Sequence, residues 1–269
     1  MTNGLSLSSV LPTPAKDVAV CVVGAGAIGH AVADAIRHDE VPGVHLTAVL
    51  CSRSTVAETE HALEASDLVV EAATVAAARE LIPHVTRLGK DVVVCSAGVF
   101  AECADPEVLV DGPGRVLLPT GALGGFDILA AAARAGTADA RLRHTTIKRP
   151  TALGVEEALT VPREVFRGSA REAALRFPKT SNSSVTLALA TLGLDRVEVV
   201  VVADPAATET RHVLEWTSPV GRYELSFTNA VDPSSGGRTS AVTALSVLEV
   251  LAALARGVGP GVVVVEPAG

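Results

Sequence analysis

Short apolar runs alternate with amphipathic stretches along the first half of the chain. Val18–Val23 is continuously apolar and mostly β-branched, a pattern that suits a parallel strand buried on both faces. Residues 27–37 then carry helical periodicity. Further apolar runs at 46–51, 67–70, 91–95 and 115–118 predict four more strands, and 76–88 predicts an amphipathic helix. Strands alternating with helices imply an α/β architecture, a doubly wound parallel sheet with right-handed crossovers.

The rhythm changes after residue 118. A Gly-rich joint, Gly121-Ala122-Leu123-Gly124-Gly125, leads into a short Ala-rich helix at 126–134. Longer runs with partial alternation follow at 140–148, 197–203, 212–217 and 223–228, with helical segments at 169–176 and 184–191. They predict a second, α+β unit on a mixed or antiparallel sheet with one solvated face. Residues 240–255 are strongly helical, with Ala244, Leu245, Leu248, Leu251 and Ala252 at helical spacing. This last helix is expected to pack back on the first unit, with Thr239 or Ser240 as its N-cap. The Val run at 262–265 is a candidate edge strand.

At the end of the first strand stands Gly24-Ala25-Gly26-Ala27-Ile28-Gly29. As a bare string the Gly-x-Gly-x-x-Gly spacing is weak. Between an apolar strand and a helix it is the turn of a Rossmann-type dinucleotide site. The first glycine permits the tight turn, the second lets the backbone approach a pyrophosphate, and the third lets helix and strand pack closely. The helix N-terminus adds amide donors and a partial positive charge. The expected organisation is therefore a flexible arm (1–16), a dinucleotide-binding domain (17–120) completed by 240–269, and a substrate and dimerisation domain (121–239). A cleft between the two domains is the expected site.

NAD sites usually end the second strand in an Asp or Glu that takes the ribose hydroxyls. This chain has Cys51-Ser52-Arg53-Ser54 there. No carboxylate is present to repel a 2′-phosphate, and Arg53 with its flanking serines suits one. The expected cofactor is NADP or NAD, with NADP slightly favoured.

Composition narrows the classes. The chain has 269 residues, and 48% of them are apolar, enough for a substantial core. Only 3% are aromatic, so Ala, Val and Leu must build it. A net charge of −8 argues against a nucleic-acid partner. No apolar run is long enough for a membrane span. The N-terminal arm lacks the apolar core of a secretory signal. The four cysteines, Cys21, Cys51, Cys95 and Cys103, form no C-x-x-C pair. They are expected as buried free thiols in a reducing cytoplasm, with no metal site.

Histidine is the natural proton-transfer residue near neutral pH. Of the seven present, His144 and His212 fall in the second unit. Spacing hardly separates them; the Asp204-Pro205-Ala206-Ala207-Thr208 loop before His212 slightly favours it. Lys148-Arg149-Pro150, Phe177-Pro178-Lys179 and Arg238-Thr239-Ser240 are basic or polar points that together offer donors for a dicarboxylate.

These segments carry a family resemblance. Residues 24–29, Val69-Val70-Glu71-Ala72-Ala73, Leu118-Pro119-Thr120-Gly121-Ala122-Leu123-Gly124-Gly125, Gly168-Ser169-Ala170-Arg171-Glu172-Ala173, Phe177-Pro178-Lys179, Asn182, Ala203-Asp204-Pro205, His212 and Thr239-Ser240 resemble the bacterial and archaeal L-aspartate dehydrogenases in order and spacing. The likeness runs from about residue 18 to 254. It implies His212 as the proton-transfer residue. It implies cofactor contacts at Ala122 and Asn182, added to those expected at Gly24, Gly26, Ala27, Ile28, Gly29 and Ala73. It implies a dicarboxylate amino acid as substrate and a homodimer; Arg238, Thr239 and Ser240 are the residues expected toward that substrate. The chain departs from the pattern at Thr120, where Ser is usual, at Arg238, where Lys is common, and in lacking the ribose-binding acid. The alternatives are a related imine reductase or amino-acid dehydrogenase, or a catalytically silent cofactor-binding protein.

Overall fold

A computed structural model describes residues 17–235, 239–257 and 263–265. The expected arm at 1–16, Arg238 and most of the tail lie outside the described residues.

The first sheet is built from β1 (Val18–Val23), β2 (Val44–Leu50), β3 (Leu68–Glu71), β4 (Asp91–Val94) and β5 (Val116–Leu118). They run parallel in the order β2-β1-β3-β4-β5. Their Val-rich runs are buried because helices cover both faces. On one side lie α2 (Val56–Glu64) and α3 (Val75–Arg87), whose Leu63, Ala78, Ile82 and Val85 meet Val69, Val92 and Val116. On the other lies α1 (Ala27–Arg37), packing Val32 and Ile36 against Val20 and Val70. The strand order reverses between β1 and β3, and ligands of open α/β sheets bind outside the carboxyl ends at such a point.

The second unit opens with α4 (Phe126–Ala133) and β6 (Arg141–Lys148). It continues through β7 (Arg163–Ser169), α5 (Ala170–Arg176), α6 (Asn182–Leu189), β8 (Glu198–Ala203), β9 (Thr210–Ser218) and β10 (Gly221–Asn229). The sheet order is β10-β9-β6-β8-β7. All neighbours are antiparallel except β6 and β8, so the sheet is mixed. One face is charged, with Arg141, Arg143 and Glu215 exposed. The other is apolar and lies under α4, α5 and α6. A single hydrophobic cluster runs from the α3 side of the first sheet through Phe100 to Leu214 and Trp216 of the second.

The chain then returns. α7 (Val242–Ala255) lays Val247 and Leu251 against the α1 side of the first sheet. β11 (Val263–Val265) adds an antiparallel edge to β5. The N-cap of α7 is Ala241, not Thr239 or Ser240. The last residues before the helix are tied down instead: Ser240 forms an isolated bridge with Val231, and Thr239 N–H donates to Ser235 Oγ.

Two elements were not expected. α2 has a weak apolar stripe, but Thr55 and Glu58 form a capping box at its start, a T-x-x-E signal visible in the sequence. β7 is a half-exposed edge strand interrupted by charge, so its alternation is poor.

Candidate active site

The β1–α1 turn is shaped by contacts a side chain would destroy. Gly24 has φ +119°, and a Cβ there would lie 2.3 Å from the Ala72 carbonyl oxygen. A Cβ on Gly29 would lie 1.9 Å from the carbonyl oxygen of Gly24. Packing within the protein explains both glycines. It does not explain Gly26, where a Cβ would meet nothing within 4 Å. The missing side chain at Gly26 keeps open a space that the protein leaves to something else. Gly26 is also the N-cap of α1, and no side chain caps its first turn. Open amides, a partial positive charge and room beside the backbone fit a pyrophosphate.

The space beside Gly26, Ala27 and Ile28 is one compartment of a cleft. Ala72, Ala73, Thr74, Cys95 and Ser96 form its other wall. Glu71 holds that wall in shape. Its buried carboxylate accepts from the N–H of Ala73 at 2.8 Å and from the N–H and hydroxyl of Ser96, both at 2.9 Å. Desolvation raises its pKa, and these hydrogen bonds oppose the rise.

A second, smaller compartment lies deeper, about 80 Å³ against about 590 Å³. Ile28, Cys95, Lys179, Asn182 and Thr239 border both. Ala122, Lys148, His212, Ser240 and Thr243 line the deeper one, which has no Asp or Glu among its lining residues. The Gly-rich joint forms its rim. Asn229 Nδ2 donates to the Ala122 carbonyl at 2.9 Å, and Gly121 N–H donates to Ser246 Oγ on α7 at 3.1 Å. Asn182 Oδ1 accepts from Gly98 N–H at 2.9 Å, which fixes the amide and leaves its NH₂ as a donor.

The base of this compartment follows from strand periodicity. Alternation puts His144, Thr146 and Lys148 on the inner face of β6. The antiparallel register sets His212 of β9 opposite Thr146, diagonal to the other two. His212 Nδ1 lies 3.0 Å from His144 Nε2 and 2.6 Å from Thr146 Oγ1. His144 Nδ1 lies 3.0 Å from Ser184 Oγ on α6. His212 Nε2 is buried without a hydrogen-bond partner. Burial, then the neighbouring His144 and Lys148, holds the His212 pKa well below the usual histidine range. Burial pushes Lys148 down to about 8.

The cleft thus gathers Gly26, Ala27, Ile28, Ala73, Ala122, Asn182, His212, Thr239 and Ser240 from distant parts of the chain. Gly24 and Gly29 shape the turn behind it. Arg53 is exposed past the end of β2 and lines neither compartment. Hydrogen bonds from the Arg53 backbone and side chain are the main causes that lower the pKa of the half-buried Cys51 thiol. His144 was weighed beside His212 from the sequence, whereas roles for Glu71, Thr146 and Ser183 at the cleft were not, although the His144-x-Thr146-x-Lys148 alternation was there to be seen. No group of three His, Cys, Asp or Glu side chains suited to a metal occurs among the described residues. No helix among them is long and apolar enough to cross a membrane.

A Gly-x-Gly-x-x-Gly turn with open space beside it, joined by one cleft to a buried histidine with an unpartnered nitrogen, fits the class of nicotinamide-dependent oxidoreductases of two-sheet architecture. Comparison with known proteins narrows the class. Residues 24–112 match the NAD-binding domain model of homoserine dehydrogenase, and 127–254 match the aspartate dehydrogenase C-terminal model. L-aspartate dehydrogenase 2 of Bordetella bronchiseptica is 39% identical over 194 residues, 68% of this chain and 72% of that one. The L-aspartate dehydrogenase of Methanothermobacter thermautotrophicus is 31% identical over 260 residues, 90% of this chain and 98% of that one. The crystal structure of aspartate dehydrogenase from Thermotoga maritima superposes with a TM-score of 0.65 at 26% identity, covering 88% of this chain and 96% of that one. The chain belongs to the L-aspartate dehydrogenase family.

The three glycines should separate in experiment. Gly26→Ala is expected to leave the melting temperature unchanged and to weaken NAD(P)H binding about tenfold or more. Gly24→Ala is expected to lower stability by about 1–3 kcal/mol or more, from its backbone strain and its clash with Ala72. Thermal melts and fluorescence titration with NADH and NADPH check both. Equal effects on stability would refute the distinction.

Proposed function

We propose that the chain is an NAD(P)-dependent L-aspartate dehydrogenase. It converts L-aspartate to iminoaspartate and then to oxaloacetate and ammonia, or runs the reverse amination. The observation that carries this reading is the buried, unpartnered Nε2 of His212 in a compartment with two lysines and no carboxylate. The domain matches and the full-length relatives support it.

When bound, the nicotinamide supplies the acceptor for the hydride leaving the substrate α-carbon. The chain's residues do the rest. The open amides at the start of α1 hold the pyrophosphate beside Gly26. Ala73, Ala122 and Asn182 face the rest of the dinucleotide. His212 is neutral at physiological pH, since its pKa is depressed, so Nε2 offers a lone pair. It takes a proton from the substrate amine or from the water that attacks the imine. Lys148 and Lys179 meet the substrate carboxylates, with Thr239 and Ser240 as hydroxyl donors. Arg238 belongs to the same segment of sequence. The presence of two sheets supports a domain division at 120/121 and 239/240. The family resemblance and the solvated outer face of the second sheet support a homodimer. The four free cysteines suit a cytoplasmic location.

Reduced cofactor should appear with L-aspartate and not with a panel of monocarboxylate amino acids. His212→Ala should lower kcat by about 10²–10⁴-fold, the usual scale for loss of a general base. Undiminished turnover in that variant, or none with L-aspartate in the wild type, would overturn the reading.

Lys148 gives a pH signature. Its pKa is depressed from the usual lysine value to about 8. It is therefore charged below that pH and neutral above, and carboxylate binding weakens as pH rises through it. The kcat/KM for L-aspartate should fall across this range against the rising trend from substrate amine ionisation. Lys148→Arg, which keeps its charge, should remove the fall; an identical profile in both proteins would count against a carboxylate contact.

NADP use rests on Arg53 and the lack of an acid past β2. Arg53→Ala is expected to raise KM for NADP by about tenfold, the scale of one lost charge-assisted phosphate contact, and to leave KM for NAD unchanged. A strong preference for NAD that survives the substitution would defeat the assignment.

A further inference from the structure

We propose that His144 is a positioning residue for the reaction, the acceptor that receives the Nδ1–H of His212 and holds its Nε2 lone pair toward the substrate. The proposal rests on the reading of His212 as the base. In a serine-hydrolase triad a carboxylate takes the far nitrogen of the catalytic histidine. Here no acid does so. The side chains in contact with His212 Nδ1 are His144, at 3.0 Å, and Thr146, at 2.6 Å.

The proton count fixes the role. In the base step the substrate N–H bond breaks, its electron pair stays on nitrogen, and the proton joins Nε2 of His212. The ring becomes an imidazolium, and both its nitrogens are then donors. Its Nδ1–H needs an acceptor inside a buried pocket, where an unmade hydrogen bond is costly. Donation to His144 Nε2 is direct. Donation to Thr146 Oγ1 passes the demand to the threonine hydroxyl, whose own ring partner is the same His144 Nε2 at 3.4 Å. Both routes end on one lone pair. His144 must then carry its hydrogen on Nδ1, where Ser184 Oγ at 3.0 Å accepts it. The chain from substrate to Ser184 has a single consistent direction once His212 is protonated.

The surroundings keep His144 available. The ring is 1% exposed and lies under α6, whose residues from Asn182 to Leu189 carry no charge. β8 turns its one acid, Glu198, to the outer face, where it binds Arg143 and Arg167. From β10, Tyr223, Leu225 and Phe227 pack toward the core. Lys148 is the charge that bears on both rings. Burial, then Lys148, pushes His144 down to about 3, so it stays neutral and can accept.

Three variants test the proposal, each assayed with L-aspartate across pH, with NAD(P)H binding measured separately. His144→Leu removes the acceptor. It should lower kcat by about 10²-fold and leave KM for L-aspartate and cofactor affinity within about threefold, a split that a collapsed pocket would not give. His144→Gln reaches the position of Nε2 with an amide oxygen and should recover about tenfold over His144→Leu. His144→Asn meets Ser184 but ends short of His212, so it should resemble the leucine variant. If His144→Leu does not fold, the Gln and Asn pair decides. A merely structural role would raise KM or weaken cofactor binding along with the loss of kcat, or would leave Gln and Asn alike, and that result overturns the proposal. So does a kcat within about threefold of wild type in His144→Leu. His212→Ala separates the two readings: if it is inactive while His144→Leu is fully active, only the role of His144 falls. If His212→Ala itself turns over normally, the base assignment falls and this proposal with it.

Discussion

The clamp on the Gly-rich joint is the contact on which the rest depends. The backbone around Ala122 is gripped from three directions: by Asn229 at the end of β10, by Ser183 on α6, and by Ser246 on α7 through Gly121. The first two belong to the second unit, and the third rides on the helix packed against the first sheet. Backbone donors and acceptors buried at a domain junction must be satisfied. Satisfying them here fixes the second sheet relative to the first. His212 is carried by the second sheet and the glycine turn by the first, so the joint sets the distance between the two. The hydrophobic cluster that continues through Phe100 makes the same junction rigid by packing.

Electrostatics inside the cleft follow one logic. The deep compartment combines two lysines with a histidine pair and admits no acid. Burial, reinforced by the Lys148 charge, disfavours protonated histidine, and both rings are held neutral. On the proposed reading, neutrality is what the base needs, and the same field that keeps His212 unprotonated suits a dianionic substrate, so affinity and basicity would have a common origin.

Most of the scaffold was legible in the chain because its signals are local. Continuous Val runs marked the buried parallel strands, and the glycine spacing marked the turn at β1. α2 was missed because its apolar stripe is thin; only its capping box announced it. β7 was missed because an edge strand needs no clean alternation. The site was legible in part. Resemblance pointed to Ala122, Asn182 and His212, and the fold brings all three to one cleft. Spacing could not choose between His144 and His212, and the reason is physical: they are cross-strand neighbours in one hydrogen-bonded pair. Glu71 was invisible because its value lies in tying together two loops 25 residues apart.

α7 has one more consequence. It is among the last elements of the chain, yet it covers Val32 and Ile36 on α1, which are among the first. A polypeptide made from its N-terminus has no cover for that apolar face until residues 242–255 have left the ribosome. The second unit, continuous in sequence, can assemble earlier than the first. Synthesis therefore runs against the usual order in which the leading domain folds first, and a nascent chain stalled after the second sheet would present the α1 face to chaperones.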